Sequence, residues 1–196
     1  MTIDDIIKAV IKLSMRKQIK FNNGHLKVLQ ISDLQDNRFT CVDTLRFMEA
    51  AVKKIKPDLI VFTGDQLDVV DLWGKGERCR KNVEKAINRL FSVFESFDIP
   101  FVLTFGNHDR ETGLPNDEQA KMYAKMKNCI CFDDVNDGRP DAGTFNVPIM
   151  SSDGSRTAMN IYVFDTENKR IKVVRIGSDL TYELKERKYM IIPFSK

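Results

Sequence analysis

The stretch DLIVFTGDQLD, residues 58–68, decides the fold. After Asp58 it is an almost unbroken apolar run, the pattern of a strand buried on both faces in a helix-covered parallel sheet. Pro57 precedes it and stops the helix that the spacing predicts over residues 42–56. The run ends in Thr63, Gly64, Asp65, Gln66, Leu67 and Asp68, where a wholly apolar segment turns abruptly acidic. Two other stretches repeat this plan. LKVLQIS (26–32) runs into Asp33, Leu34, Gln35 and Asp36, and PFVLTF (100–105) runs into Gly106, Asn107, His108 and Asp109.

Helical periodicity fills the gaps between these strands. Residues 77–97 place Val83, Ala86, Ile87, Leu90, Phe91 and Phe94 on one side, and residues 116–127 read as a shorter helix. Alternating strand and helix predict an α/β fold with a mostly parallel sheet flanked by helices. The tail changes character. Residues 129–132, 144–149, 158–164 and 171–176 read as short strands between polar turns, either extending the sheet or starting a second one, and 180–188 fits no single element. Residues 3–15 put Ile3, Ile6, Ile7, Val10 and Ile11 at helical spacing, so an N-terminal amphipathic helix is expected within residues 1–20. No repeat or low-complexity linker divides the chain, and residues 1–196 read as one domain.

Composition narrows the function classes. The 196 residues are 42% hydrophobic and 30% charged, with a net charge of +3. That is ordinary globular chemistry, and no segment reaches the apolar length of a membrane span. Neither integral membrane association nor a nucleic-acid partner is expected from so balanced a charge. The basic excess sits at the two ends, so nucleic-acid or membrane-surface binding by residues 1–20 and 169–196 is the weaker alternative. Residues 21–168 carry 18 basic and 23 acidic side chains, which suits cation binding better than direct anion binding. The four cysteines form no disulfide framework. They read as buried thiols in a reducing, cytoplasmic compartment.

Function is concentrated at the strand ends. In an open α/β sheet, ligands collect beyond the carboxyl ends of the strands. Parallel neighbours would bring Asp33, Asp65 and the Asn107 amide together, although they are far apart in sequence. Clustered carboxylates repel unless a cation compensates them, and these oxygens are the donors a hard divalent ion takes. Gly64 and Gly106 let the backbone turn sharply there.

ISDLQ (31–35), GDQLD (64–68) and GNHD (106–109) resemble, in this order and each after an apolar strand, the first three motifs of the calcineurin-like metallophosphoesterases. The context is most similar to the purple acid phosphatase 29-like branch. The resemblance covers roughly residues 26–165. It implies a layered α/β sandwich with a second sheet. It also implies a metal-dependent phosphoester hydrolase, a phosphatase or phosphodiesterase, in which a metal-bound hydroxide attacks in line. On that reading Asp33 binds one metal, Asp65 bridges two, and Asn107 binds the second. His108 hydrogen-bonds the phosphate and protonates the leaving oxygen. Asp68 and Asp109 orient ligands and His108 from behind. Mn, Fe or Zn are the divalent ions implied, and a phosphoester is the implied substrate.

The chain departs from that pattern in two ways. Gln35 occupies the position where the family has a histidine ligand. The later lone His and the Gly-His-x-His motif are missing, because the chain has only His25 and His108. His25 precedes the first strand and reads as a surface residue. MNIYVFDT (159–166) passes almost at once into RIKVVRIGSDLTYE (170–183), which resembles the family's closing segment. The expectation is an internal deletion. It would leave a half-built metal site holding one ion or none, and an unpartnered sheet edge prone to self-association. A catalytically impaired metal-binding or interaction protein is the alternative function.

Overall fold

The computed structural model describes residues 17–68, 73–132 and 143–165. Its elements in chain order are β1 (Ile19–Lys20), β2 (Val28–Ile31), α1 (Val42–Ile55), β3 (Leu59–Phe62), α2 (Gly76–Ser96) and β4 (Phe101–Leu103). Then follow α3 (Asn107–Glu111), α4 (Asn116–Tyr123), β5 (Phe145–Met150) and β6 (Thr157–Val163).

The apolar runs build one sheet of order β2-β3-β4, parallel throughout. β3 lies between its two neighbours, and all four of its side chains are buried. The registers pair Ile31 with Phe62 and Phe62 with Leu103, so the three chains leave the sheet at one level. This places Asp33, Asp65 and Asn107 at a common edge.

Burial of aromatic surface holds the layers together. The Phe91 ring of α2 lies 4.8 Å from Phe62, 5.7 Å from Phe94, 5.1 Å from Phe101 and 5.0 Å from Tyr123, centroid to centroid. These tilted and edge-on contacts join two strands and two helices through one side chain. α2 buries Cys79, Val83, Ala86, Ile87, Leu90, Phe91 and Phe94, the helical stripe expected from the sequence together with a thiol one turn upstream. α1 contributes Met48 and Val52 to the core and ends at Lys56, whose left-handed backbone (φ 51°) precedes Pro57.

The tail starts a second sheet, of order β1-β5-β6. β5 and β6 are antiparallel, and β1 joins β5 in parallel through the Ile19–Ile149 register. At the end of β6 the exposed Tyr162 ring stacks on Phe164, just past the strand, at 6.4 Å.

Several expectations need correction. Residues 129–132 do not form a strand; Cys129 makes only an isolated bridge to Phe101. β2 is not buried on both faces, since Val28 and Gln30 are exposed. It is the outer strand of its sheet among the described residues. The helix expected over 116–127 ends at Tyr123 and gives way to turns. Residues 19–20 are strand, so the N-terminal helix does not extend to residue 20; its core, 3–15, lies outside the described residues. So do 171–176, 180–188 and the junction after Thr166. Cys41 is exposed rather than buried, while the other three thiols are buried and all four are free. Trp73 packs inside, with its indole N–H donating to the Asp68 carbonyl at 2.9 Å.

Phe91→Ala is expected to destabilise the fold by about 3–5 kcal/mol in urea unfolding, because it leaves a void that four rings cannot close. Phe47→Ala, at a site 72% exposed, should stay within about 0.5 kcal/mol of the parent protein.

Candidate functional site

The three strand ends are laced together by their backbones. Beyond β2 and β3, the Asp33 amide donates to the Gly64 carbonyl (3.1 Å), Gln35 to Asp65 (3.0 Å) and Asp36 to Gln66 (3.1 Å). The Asp68 amide returns a bond to the Asp36 carbonyl at 2.8 Å. These bonds extend the parallel pairing past the strands while the chain twists sharply. Asp33, Gln35 and Asp65 adopt left-handed backbones with φ of 54°, 44° and 53°. For non-glycine residues that conformation is uncommon, and Asp is among the residue types that tolerate it best.

The approach of the β3 and β4 turns is closer still. A Cβ on Gly64 would lie 2.8 Å from the Gly106 nitrogen, and one on Gly106 would lie 2.6 Å from the Asp65 nitrogen. Both distances are shorter than any real Cβ contact, so only glycine fits at either position.

Asp109 uses this proximity. Its Oδ2 accepts the amides of Asp65 (2.9 Å) and Gly106 (2.8 Å), and its Oδ1 accepts those of Gln66 (2.9 Å) and Leu67 (3.1 Å). The side chain is completely buried. Burial pushes its carboxyl up to about 7, with the nearby Asp65 charge adding to the rise and the amides pulling it back. Asp109 is therefore an anchor beneath the surface. The sequence reading has it orienting His108, whereas the structure commits both of its oxygens to backbone amides.

Above this anchor stand the side chains that face outward. Asp33 is exposed and accepts a hydrogen bond from the Ser32 hydroxyl. Asp65 is half-buried, and its Oδ1 accepts the backbone amide of His108 at 2.9 Å. Gln35 is exposed; Asn107 and Asp68 are half-buried. His108 lies one residue into α3, and its Nδ1 is 2.8 Å from Glu111 Oε2. That bond raises the imidazole's pKa above its ordinary value, and the Asp65 and Asp68 carboxylates act in the same direction. Asp36 belongs to the scaffold: its carboxylate accepts the amides of Asn37 (2.7 Å) and Cys41 (3.0 Å) at the entry to α1.

The structure thus brings Asp33, Gln35, Asp65, Asp68, Asn107, His108 and Asp109 to one end of the sheet, as the sequence predicts. They do not fit a complete two-ion centre: among the described residues no three His, Cys, Asp or Glu side chains gather as metal ligands. His25 cannot add an imidazole, because it precedes β2 at the amino end of the sheet. Sequence reading missed Glu111 as the partner of His108. The signal was available in their three-residue spacing, but only a helix gives that spacing meaning.

Asp109→Asn would turn one acceptor oxygen into a donor facing two backbone amides. It is expected to lower stability by about 2–5 kcal/mol, since each unsatisfied buried group costs roughly 1–3 kcal/mol. Chemical denaturation followed by circular dichroism measures the loss.

Comparison with known proteins agrees with this geometry. The calcineurin-like phosphoesterase family matches residues 26–188. The chain is 29% identical over 179 residues to the Arabidopsis thaliana protein named "Probable inactive purple acid phosphatase 14", covering 76% of this chain and 42% of that protein. It is also 29% identical over 181 residues to "Probable inactive purple acid phosphatase 29" of the same organism, covering 78% and 43%. The match to the UDP-2,3-diacylglucosamine pyrophosphatase LpxG of Chlamydia muridarum is 32% over 114 residues, covering 57% and 31%. The chain spans less than half the length of these curated relatives. With the family matched along most of its length and the three motifs at adjoining strand ends, this chain belongs to the calcineurin-like phosphoesterases.

Proposed function

We propose that this chain binds phosphoesters at the carboxyl end of its parallel sheet and hydrolyses them slowly with the help of a divalent cation. The observation that carries this reading is the register of β2, β3 and β4, which sets Asp33, Asp65 and Asn107 on one edge. Asp33, Asp65 and the Asn107 amide would hold the ion, Mn, Fe or Zn, with Gln35 as a weaker neutral ligand. When bound, such an ion shields phosphoryl charge and makes water more acidic.

The chain's own residues supply the remaining steps. Asp65 ties the His108 backbone to the β3 turn, so the ligand and the imidazole are positioned together. His108 carries a proton beside the site and delivers it to the leaving oxygen. Asp68 adds negative charge behind the imidazole. Asp109 keeps the Asp65 and Gly106 backbones at their separation. Turnover is slow on this reading because the donors present would hold one ion rather than two. An internal deletion after Thr166 would account for the missing imidazoles.

A second reading is a cation-binding or interaction protein without turnover. Gln35 at the histidine position favours it, as does the lack of a three-ligand group among the described residues. The names of the two Arabidopsis relatives point the same way. The described residues contain no helix long and apolar enough to cross a membrane.

Calorimetric titration with Mn(II) and Zn(II), beside hydrolysis of p-nitrophenyl phosphate, separates the two. One ion bound per chain, with turnover above the buffer rate that Asp65→Asn abolishes, supports hydrolysis. One ion bound without turnover supports the second reading, and no binding by either metal defeats cation binding in both.

A further inference from the structure

The short helix α3 carries a pairing that neither the family's motifs nor the cation-binding argument requires. Its sequence is Asn107, His108, Asp109, Arg110 and Glu111, in which positions three apart share a face. Both ends of the pair are partly open to solvent, the side chains being 34% exposed at His108 and 45% at Glu111.

The backbone of His108 is already fixed. Its amide donates to Asp65 Oδ1 at 2.9 Å, and the preceding turn is held by the Gly106 amide on Asp109 Oδ2 at 2.8 Å. What remains free is the imidazole: its rotation, and which nitrogen bears the proton. Glu111 Oε2 stands 2.8 Å from Nδ1. An ionised carboxylate can only accept, so Nδ1 must carry the hydrogen. In the neutral ring that leaves Nε2 as the open nitrogen; in the charged ring Nε2 is the second donor. Asp109, the other acid of the helix, cannot do this work, because its oxygens are occupied by four amides.

We propose that Glu111 is a positioning residue that locks the His108 imidazole with Nδ1–H toward itself and Nε2 as the nitrogen presented to a bound phosphoryl group. The phosphoryl part of this inference rests on the function proposed above; the lock itself does not. Its geometry gives a half-exposed ring one preferred orientation, with the charges of Asp65, Asp68 and Glu111 all acting on it. Without the lock, water competes for both nitrogens, and the ring divides its time between orientations that point different atoms at the site.

The chain has only two histidines, so two-bond proton–nitrogen correlation spectra of the imidazoles are simple to read. His25→Asn assigns the pair. At a pH where both rings are neutral, His108 is expected to show a protonated Nδ1 and an unprotonated Nε2. Glu111→Ala should convert it to the averaged pattern of exposed His25. Glu49→Ala, which removes a surface ion pair on α1, should leave it unchanged. Melting temperature and far-ultraviolet circular dichroism check that Glu111→Ala folds. A His108 pattern that does not respond to Glu111→Ala overturns the inference.

Hydrolysis of p-nitrophenyl phosphate with Mn(II) adds the functional arm. Where turnover exists, Glu111→Ala is expected to lower kcat by about 10- to 100-fold with little change in KM. An unchanged kcat overturns the phosphoryl-facing role. A nitrogen pattern that responds to Glu111→Ala in a protein without turnover retains the lock and refutes hydrolysis, so the two failures are distinguishable.

Discussion

The site depends on the near-touch of two backbones, at Gly64 and Gly106. β3 and β4 leave the sheet side by side, and their turns come closer than any side chain would allow. That proximity lets one carboxylate, Asp109, reach amides on both turns at once. It also lets Asp65 reach across to the His108 amide. A methyl group at either glycine would push the turns apart and undo both links. The cluster of acids is thus a consequence of backbone packing, and packing in turn follows from two continuous apolar strands pairing in parallel.

The acids at this edge do two different jobs. Asp109 and Asp36 are consumed by backbone amides and hold the loops in shape. Asp33 and Asp65 remain at or near the surface. The distinction has an energetic reason. Burying a carboxylate is costly unless amides or charges compensate it, which is why Asp109, with four amides, is still pushed up to about 7. A carboxylate in that position is spent on architecture. A ligand must keep lone pairs free, so it belongs at the rim.

This separation leaves the calcineurin-like scaffold independent of any imidazole. The sheet, the aromatic cluster around Phe91 and the glycine contact need no imidazole. The chain's two histidines set a ceiling on imidazole ligands. One of them, His25, lies at the amino end of the sheet, opposite the acidic edge. The remaining one, His108, is engaged by Glu111. The fold therefore rests on apolar strands and backbone contacts, and the rim residues are left out of it.

Much of this was readable in advance. Apolar runs ending in Asp33, Asp65 and Asn107 announced a parallel sheet with an acidic edge, because a central strand buried on both faces, as β3 is, leaves polar groups no place but its ends. The helical stripe of α2 was equally plain. Other features were decided only by the tertiary structure. Nothing local distinguishes the bound Asp109 from the open Asp65, since burial depends on which chain lies above. The strand-like pattern at 129–132 came down to one isolated bridge from Cys129 to Phe101, and β2 proved half-exposed as the outer strand of its sheet among the described residues. The pairing of Glu111 with His108 waited on a five-residue helix too short to announce itself. Sequence alone determined the periodic burial that makes the sheet; only folding chose which acid faces inward, since that is a property of contacts between segments distant along the chain.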